Sequence, residues 1–173
     1  MLDVLARIEA ELPSLLLDEA GWNSLDINYH PPRVERLWRS WNEYRVSLHR
    51  IHPCEPKDAL FHPHPWPSAM RVLDGVYEMA IGYGAGSKPP PVAARIITRG
   101  DLRYEMLDPD SWHYVRPIER PAMTIMITGK PWGRDAAGAE PHEPLSPLSK
   151  EARAEMLAWY RQFYAWESCA SHG

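Results

Sequence analysis

Two histidines two residues apart, His62 and His64, are the side chains in this chain best suited by type and spacing to chemistry. Alternate residues of a β-strand project from the same face, so both imidazoles can point at one spot. Two imidazoles at one spot are the start of a metal site. Pro63 and Pro65 cannot donate ladder hydrogen bonds, which sets the pair at a strand entrance or barrel mouth rather than mid-sheet. Upstream, His52 and Cys54 share a strand parity and stand as spare ligands or supporting groups. His142 falls in a loop that is expected to face solvent.

The elements that must position these residues follow from hydrophobic patterning. Residues 2–17 place Leu2, Leu5, Ile8, Leu12 and Leu16 at three-to-four spacing, which predicts an amphipathic helix interrupted or ended near Pro13. Residues 21–32 read as a loop, and residues 34–41 as a short helix with Val34, Leu37, Trp38 and Trp41 on one face. Tyr44, Val46 and Leu48 alternate with polar residues and predict a strand. Residues 68–73 and 76–83 read as the two arms of a hairpin about Asp74-Gly75. Strands are expected at 92–98, 102–107 and 123–129, with turns at Gly100-Asp101 and at 108–110. Residues 130–149 are loop-like. Ser149 suits a helix N-cap, ahead of Met156, Trp159, Tyr160 and Phe163 at helical spacing. The pattern predicts a single domain with a helical flank at 1–43, a β-barrel core at 44–129, and a loop and terminal helix at 130–173.

Residues 62–75 carry His-x-His, three residues, Ser68, six residues and Gly75, ending in Val72-Leu73-Asp74-Gly75. This resembles the first motif of the cupin family, with Ser68 where the family has Glu and Pro56 where it has an earlier Gly. The resemblance implies a mainly β fold, the double-stranded β-helix or jelly-roll barrel, here with helices at both ends. It also implies a third metal-binding His in a second motif. His113 follows Pro109 and precedes a core strand, so it is the matching position, although Asp110 and Pro117 replace that motif's usual Gly and Asn. Loss of the Glu resembles the three-His cupins, non-haem Fe(II) dioxygenases among them. The thiol dioxygenases of that group carry a Ser-x-His-x-Tyr relay, which Ser111-Trp112-His113-Tyr114 does not reproduce.

Three neutral histidines would leave the full charge of a divalent ion, which favours an anionic substrate. Trp66, Ser68, Met70 and Val72 share parity with His62 and His64 and would line the interior, whereas Arg71 has the opposite parity. Arg50, Arg95 and Arg103 are unranked candidates for a substrate clamp, and Tyr77 and Tyr83 for donors to bound substrate or oxygen. The expected activity is an Fe(II) dioxygenase acting on a small organic anion with O2. The alternatives are a zinc, nickel or manganese isomerase or lyase, and a non-catalytic cupin that binds a small ligand or acts as a scaffold. A net charge of −4 offers no footprint for nucleic acid. No apolar run approaches the ~20 residues needed to span a bilayer. The acidic, amphipathic start does not read as a signal peptide. Two cysteines, Cys54 and Cys169, make no disulfide framework, so a cytoplasmic protein with reduced thiols is expected. The eight tryptophans leave room for a homodimer interface.

Overall fold

A computed structural model describes residues 1–133 and 144–170, so His142 lies outside the described residues. Helix α1 (Leu2–Leu15) buries Leu5, Ile8 and Leu12, the face that its spacing requires, and ends two residues beyond Pro13. Strands β1 (Asn23–Ile27), β2 (Val34–Trp41) and β3 (Tyr44–Ile51) form an antiparallel meander. Two expectations are corrected here. The stretch read as a loop contains β1, and residues 34–41 are a strand rather than a helix, so the N-terminal flank is helical only in part. The apolar stripe at 34, 37, 38 and 41 coincides with helical spacing. What decides is pairing on both sides: Leu37 lies opposite Ser24 on β1 and Leu48 on β3. Tertiary context overrides local pattern.

The two-residue strand β4 (His62–Pro63) precedes the long strand β5 (Ser68–Tyr83). The expected hairpin at Asp74-Gly75 is absent. The chain runs straight on, with register irregularities between Val72 and Asp74 and between Asp74 and Val76. Gly75 has φ +103°, and a Cβ there would meet the Ala122 Cα at 2.9 Å. The residue types marked a positive-φ site correctly, but the site is a bulge that bends the strand. Its partner β8 (Ser111–Thr128) bends alongside, where Glu119 has φ +68°. Arg120 and Asp74 join in two hydrogen bonds of 2.7 Å across this corner.

The bend splits each long strand between two sets of neighbours. The first half of β5 lies between β7 (Arg103–Met106) and the second half of β8, which continues to β3, β2 and β1. The second half of β5 lies between β6 (Ala94–Arg99) and the first half of β8, on which β4 pairs. One eight-stranded sheet thus folds over on itself. Strand parity divides its faces. Val46, Leu48, Ile125 and Ile127 pack outward with Leu5, Ile8 and Leu12 of α1 and with Met156, Leu157 and Tyr160 of α2 (Lys150–Ala170). Ser149 accepts the Ala152 N–H at 3.1 Å, as its N-cap role requires. The opposite parity, Ser47, His49, Met126 and Thr128, faces an internal cavity.

Candidate metal centre

Two strands bring the three imidazoles together. On the β4–β8 ladder His62 lies directly opposite His113, and His64 follows two residues after His62. Ring centroids are 5.0 Å apart for His62 and His113, 4.6 Å for His64 and His113, and 5.3 Å for His62 and His64. One ring nitrogen from each lies within 4.8 Å of those of the other two. Pro63 and Pro65 thus leave the two rings side by side at the strand entrance.

Hydrogen bonds orient two of the rings. The His62 Nδ1 lies 2.9 Å from the Leu60 carbonyl, an acceptor, so Nδ1 carries the proton and donates. Its Nε2 is then a bare lone pair. The His64 Nδ1 lies 3.0 Å from the Ser68 hydroxyl. Ser68 therefore stands behind His64 and is not among the residues lining the cavity. The Nε2 atoms of His64 and His113 face each other at 3.0 Å. Nitrogens on one first-row ion at about 2.1 Å stand roughly 3.0–3.4 Å apart, so this spacing fits a shared ion. The His113 Nδ1 is buried without a hydrogen-bond partner among the described residues.

Electrostatics keep the rings uncharged. Burial pushes His113 well below the usual imidazole range, and the neighbouring His64 and His62 add to it. His64 is lowered in the same way, by burial, then His62, then Arg36. His62 is also lowered by burial, against the Leu60 hydrogen bond. Neutral imidazole is the form that binds metal.

A cavity of about 420 Å³ opens from the three histidines. Trp66 and Met70 line it, as parity predicts, together with Val115 and Met126. No carboxylate lines it among the described residues. Several candidates fall elsewhere. His52 sits on the helix-side parity of β3, where its Nε2 lies 2.8 Å from Glu35, so the third histidine is His113 and not His52. Cys54 packs against a small separate cluster of Ala59, Ala80 and Tyr114. Tyr77 is fully buried behind Met70 and beside Tyr104 and does not line the cavity, and Tyr83 is exposed and paired with Asp108. Arg50 is held by Glu35 and Glu155, and Arg103 lies by Glu9 and Asp101. Arg95 is exposed on β6. None of these three lines the cavity, and Arg71 turns outward to Glu9 as expected. Sequence reasoning missed Arg36 and His49, which do line it. Their signal was the parity of β2 and β3, hidden for β2 by the helical reading.

No family model matches the chain, and no curated protein matches it in sequence. Among solved structures it is similar to the Fe(II) form of HppE, at 14% identity over 64% of this chain and 57% of that one, with a TM-score of 0.51. The fold is that of the cupins. Hydroxypropylphosphonic acid epoxidase from S. wedmorenis shares 13% identity over 64% of this chain and 56% of its own, with a TM-score of 0.49. KdgF from Halomonas sp. shares 10% over 65% of this chain and 91% of its own, with a TM-score of 0.45. The chain covers little more than half the length of the first two. At such identities the likeness speaks for the cupin fold alone. Among the described residues no helix is long and apolar enough to cross a membrane.

Proposed function

We propose that His62, His64 and His113 hold one divalent metal ion and that this cupin is a metal-dependent enzyme acting on a small organic anion. The observation that carries the reading is the convergence of three neutral imidazoles whose outer nitrogens are held, in two cases, by Leu60 and Ser68. Such outer contacts fix which nitrogen is left free to bind. Fe(II) is the metal proposed, with O2 as co-substrate; when bound, it supplies Lewis acidity and one-electron chemistry. The chain's own contribution is position and environment. Trp66, Met70, Val115 and Met126 make a largely apolar wall that excludes water beside the histidines. With no carboxylate among the described lining residues, the charge of the ion is left for an anionic substrate to balance.

The test is elemental analysis of protein purified without a His tag, comparing wild type with His64→Ala and His113→Ala. Near-stoichiometric metal in the wild type, lost in both variants, is the expected result. Oxygen uptake dependent on added Fe(II) then supports the dioxygenase, whereas tightly held zinc, nickel or manganese without oxygen uptake supports an isomerase or lyase. A wild type that holds no metal after reconstitution sinks the enzyme reading and leaves a small-ligand-binding cupin.

A further inference from the structure

Arg36 lines the cavity from β2, and its one hydrogen bond among the described residues runs from Nε to His49 Nε2 at 3.0 Å. Guanidinium can only donate, so His49 Nε2 accepts and its proton sits on Nδ1, which lies 3.2 Å from the Thr124 hydroxyl. Burial, with Arg36 adding to it, keeps His49 well below the usual range, so the ring is a fixed neutral acceptor. It is anchored further because the Tyr160 hydroxyl lies 2.9 Å from the His49 carbonyl and 2.7 Å from that of Thr124. His49 therefore orients the guanidinium without neutralising it. The terminal nitrogens of Arg36 have no carboxylate partner among the described residues, unlike Arg50, Arg71 and Arg116, each of which is paired.

Among the described residues, the other charged side chain on the cavity wall is also a cation, Arg45, whose guanidinium lies 4.5 Å over the Trp38 ring. Burial and then Arg45 bring Arg36 down to about 10, which still leaves it charged at neutral pH. Arg36 is close enough to His62 and His64 to depress both. A half-buried guanidinium with no carboxylate partner among the described residues is costly in a folded chain unless an anion joins it.

We propose that Arg36 is the specificity-determining residue of this cavity, its planar fork receiving a carboxylate of the substrate while the substrate's apolar body lies against Ile27, Val34 and Leu60. The substrate is thus an apolar carboxylate whose reactive part reaches the histidines. As a statement about substrate this rests on the metal-dependent reading above, but the contact with Arg36 needs no metal. Bidentate guanidinium–carboxylate pairing supplies both the affinity and the orientation, and Arg45 at the exposed rim draws the anion in.

The test uses the full chain, treated with EDTA and then with Fe(II) restored, titrated calorimetrically with hexanoate and with hexanamide. The two probes match in shape and differ in charge. Wild type should prefer hexanoate by about tenfold or more in both preparations, as hydrogen bonds to a charged group allow. Arg36→Met should bind both probes alike, and Arg45→Met should keep the preference. If Arg36→Met does not fold by thermal melt, Arg36→Lys decides: it keeps the charge and loses the fork, so a reduced preference supports the proposal and an unchanged one overturns it. Equal binding of both probes by wild type, or no binding of hexanoate, overturns it too. Because the metal-free protein is titrated, a failed metal analysis leaves these outcomes readable, and a failed titration leaves the metal reading standing.

Discussion

Replacing Glu35 by Gln tests whether the ion cluster on the far side of the site is as demanding as its geometry implies. Glu35 is 3% exposed and receives Arg50 through Nε and, at 3.0 Å, through Nη2, with His52 at 2.8 Å. Burial alone would raise its carboxyl, but the hydrogen bonds from Arg50 and His52 outweigh that and hold it at about 2, against an ordinary 4.5. At about 1.4 kcal/mol per tenfold change in proton affinity, the gap corresponds to about 3 kcal/mol of stability at pH 7. That is comparable to the ~3–5 kcal/mol lost when one partner of a buried ion pair is removed. For a chain of this size it lowers the melting temperature by roughly 6–12 °C. The pH dependence follows from the depressed value. Glu35 contributes fully above about pH 4.5, and its contribution fades as pH falls toward 2, because the unfolded chain takes up that proton first. Thermal melts of both proteins across pH 7 to 2 therefore show a wide gap at neutral pH that closes on acidification, and taking the difference cancels the other carboxylates. A gap under about 1 kcal/mol at pH 7, or one that stays constant down to pH 2, would refute the reasoning.

Gly75→Ala forces a Cβ to 2.9 Å from the Ala122 Cα at φ +103°; a loss of about 2 kcal/mol or more is expected in urea denaturation. Ser68→Ala removes the partner of His64 Nδ1; metal affinity measured by chelator competition should fall roughly 10- to 100-fold with all three histidines retained. Tyr160→Phe removes the hydroxyl beside the His49 and Thr124 carbonyls; it should cost about 1 kcal/mol in a thermal melt and leave metal content unchanged. Metal-free protein should lose stability as pH falls below the ordinary imidazole value of 6.5, because the unfolded His64 and His113 take protons that their buried forms refuse. In melts between pH 7 and 5, His64→Ala should show a shallower decline than wild type.

What the sequence made legible, and what it hid, divides along strand parity. His62 and His64 were readable because two-residue spacing needs only a locally extended chain to align the rings. Met70 against Arg71 was readable for the same reason, but Ser68 and Val72, which share that parity, do not line the cavity: Ser68 stands behind His64 and Val72 packs with Ile51, Tyr77 and Ala122. His113 has no such local signal. It meets His62 through a ladder between chain segments some fifty residues apart, and only the cupin resemblance pointed to it. His52 stood as a spare ligand, yet it continues the helix-side parity of Leu48 just beyond β3, while His49 takes the other face. One residue of register separates a cavity wall from a buried ion pair.

Arg36 and Gly75 mark the limits of the same logic. Val34, Leu37, Trp38 and Trp41 satisfy a helical period by coincidence, and nothing within eight residues distinguishes that from a strand paired on both edges. Once β1 and β3 flank the segment, Glu35 lies opposite Arg50 and Arg36 opposite His49. Neighbours in sequence thus serve opposite faces, one closing an ion cluster beneath α2 and the other presenting to the cavity a guanidinium with no carboxylate partner among the described residues. At Gly75 the residue type announced a positive φ, but whether the chain then reverses or merely bends depends on β8, whose own bend at Glu119 lies over forty residues away. Local chemistry specifies the unusual backbone angle. The partner strand decides what that angle builds, here a continuous bent strand alongside β8, which lines the cavity from both of its halves through His113 and Val115 and through Met126 and Thr128.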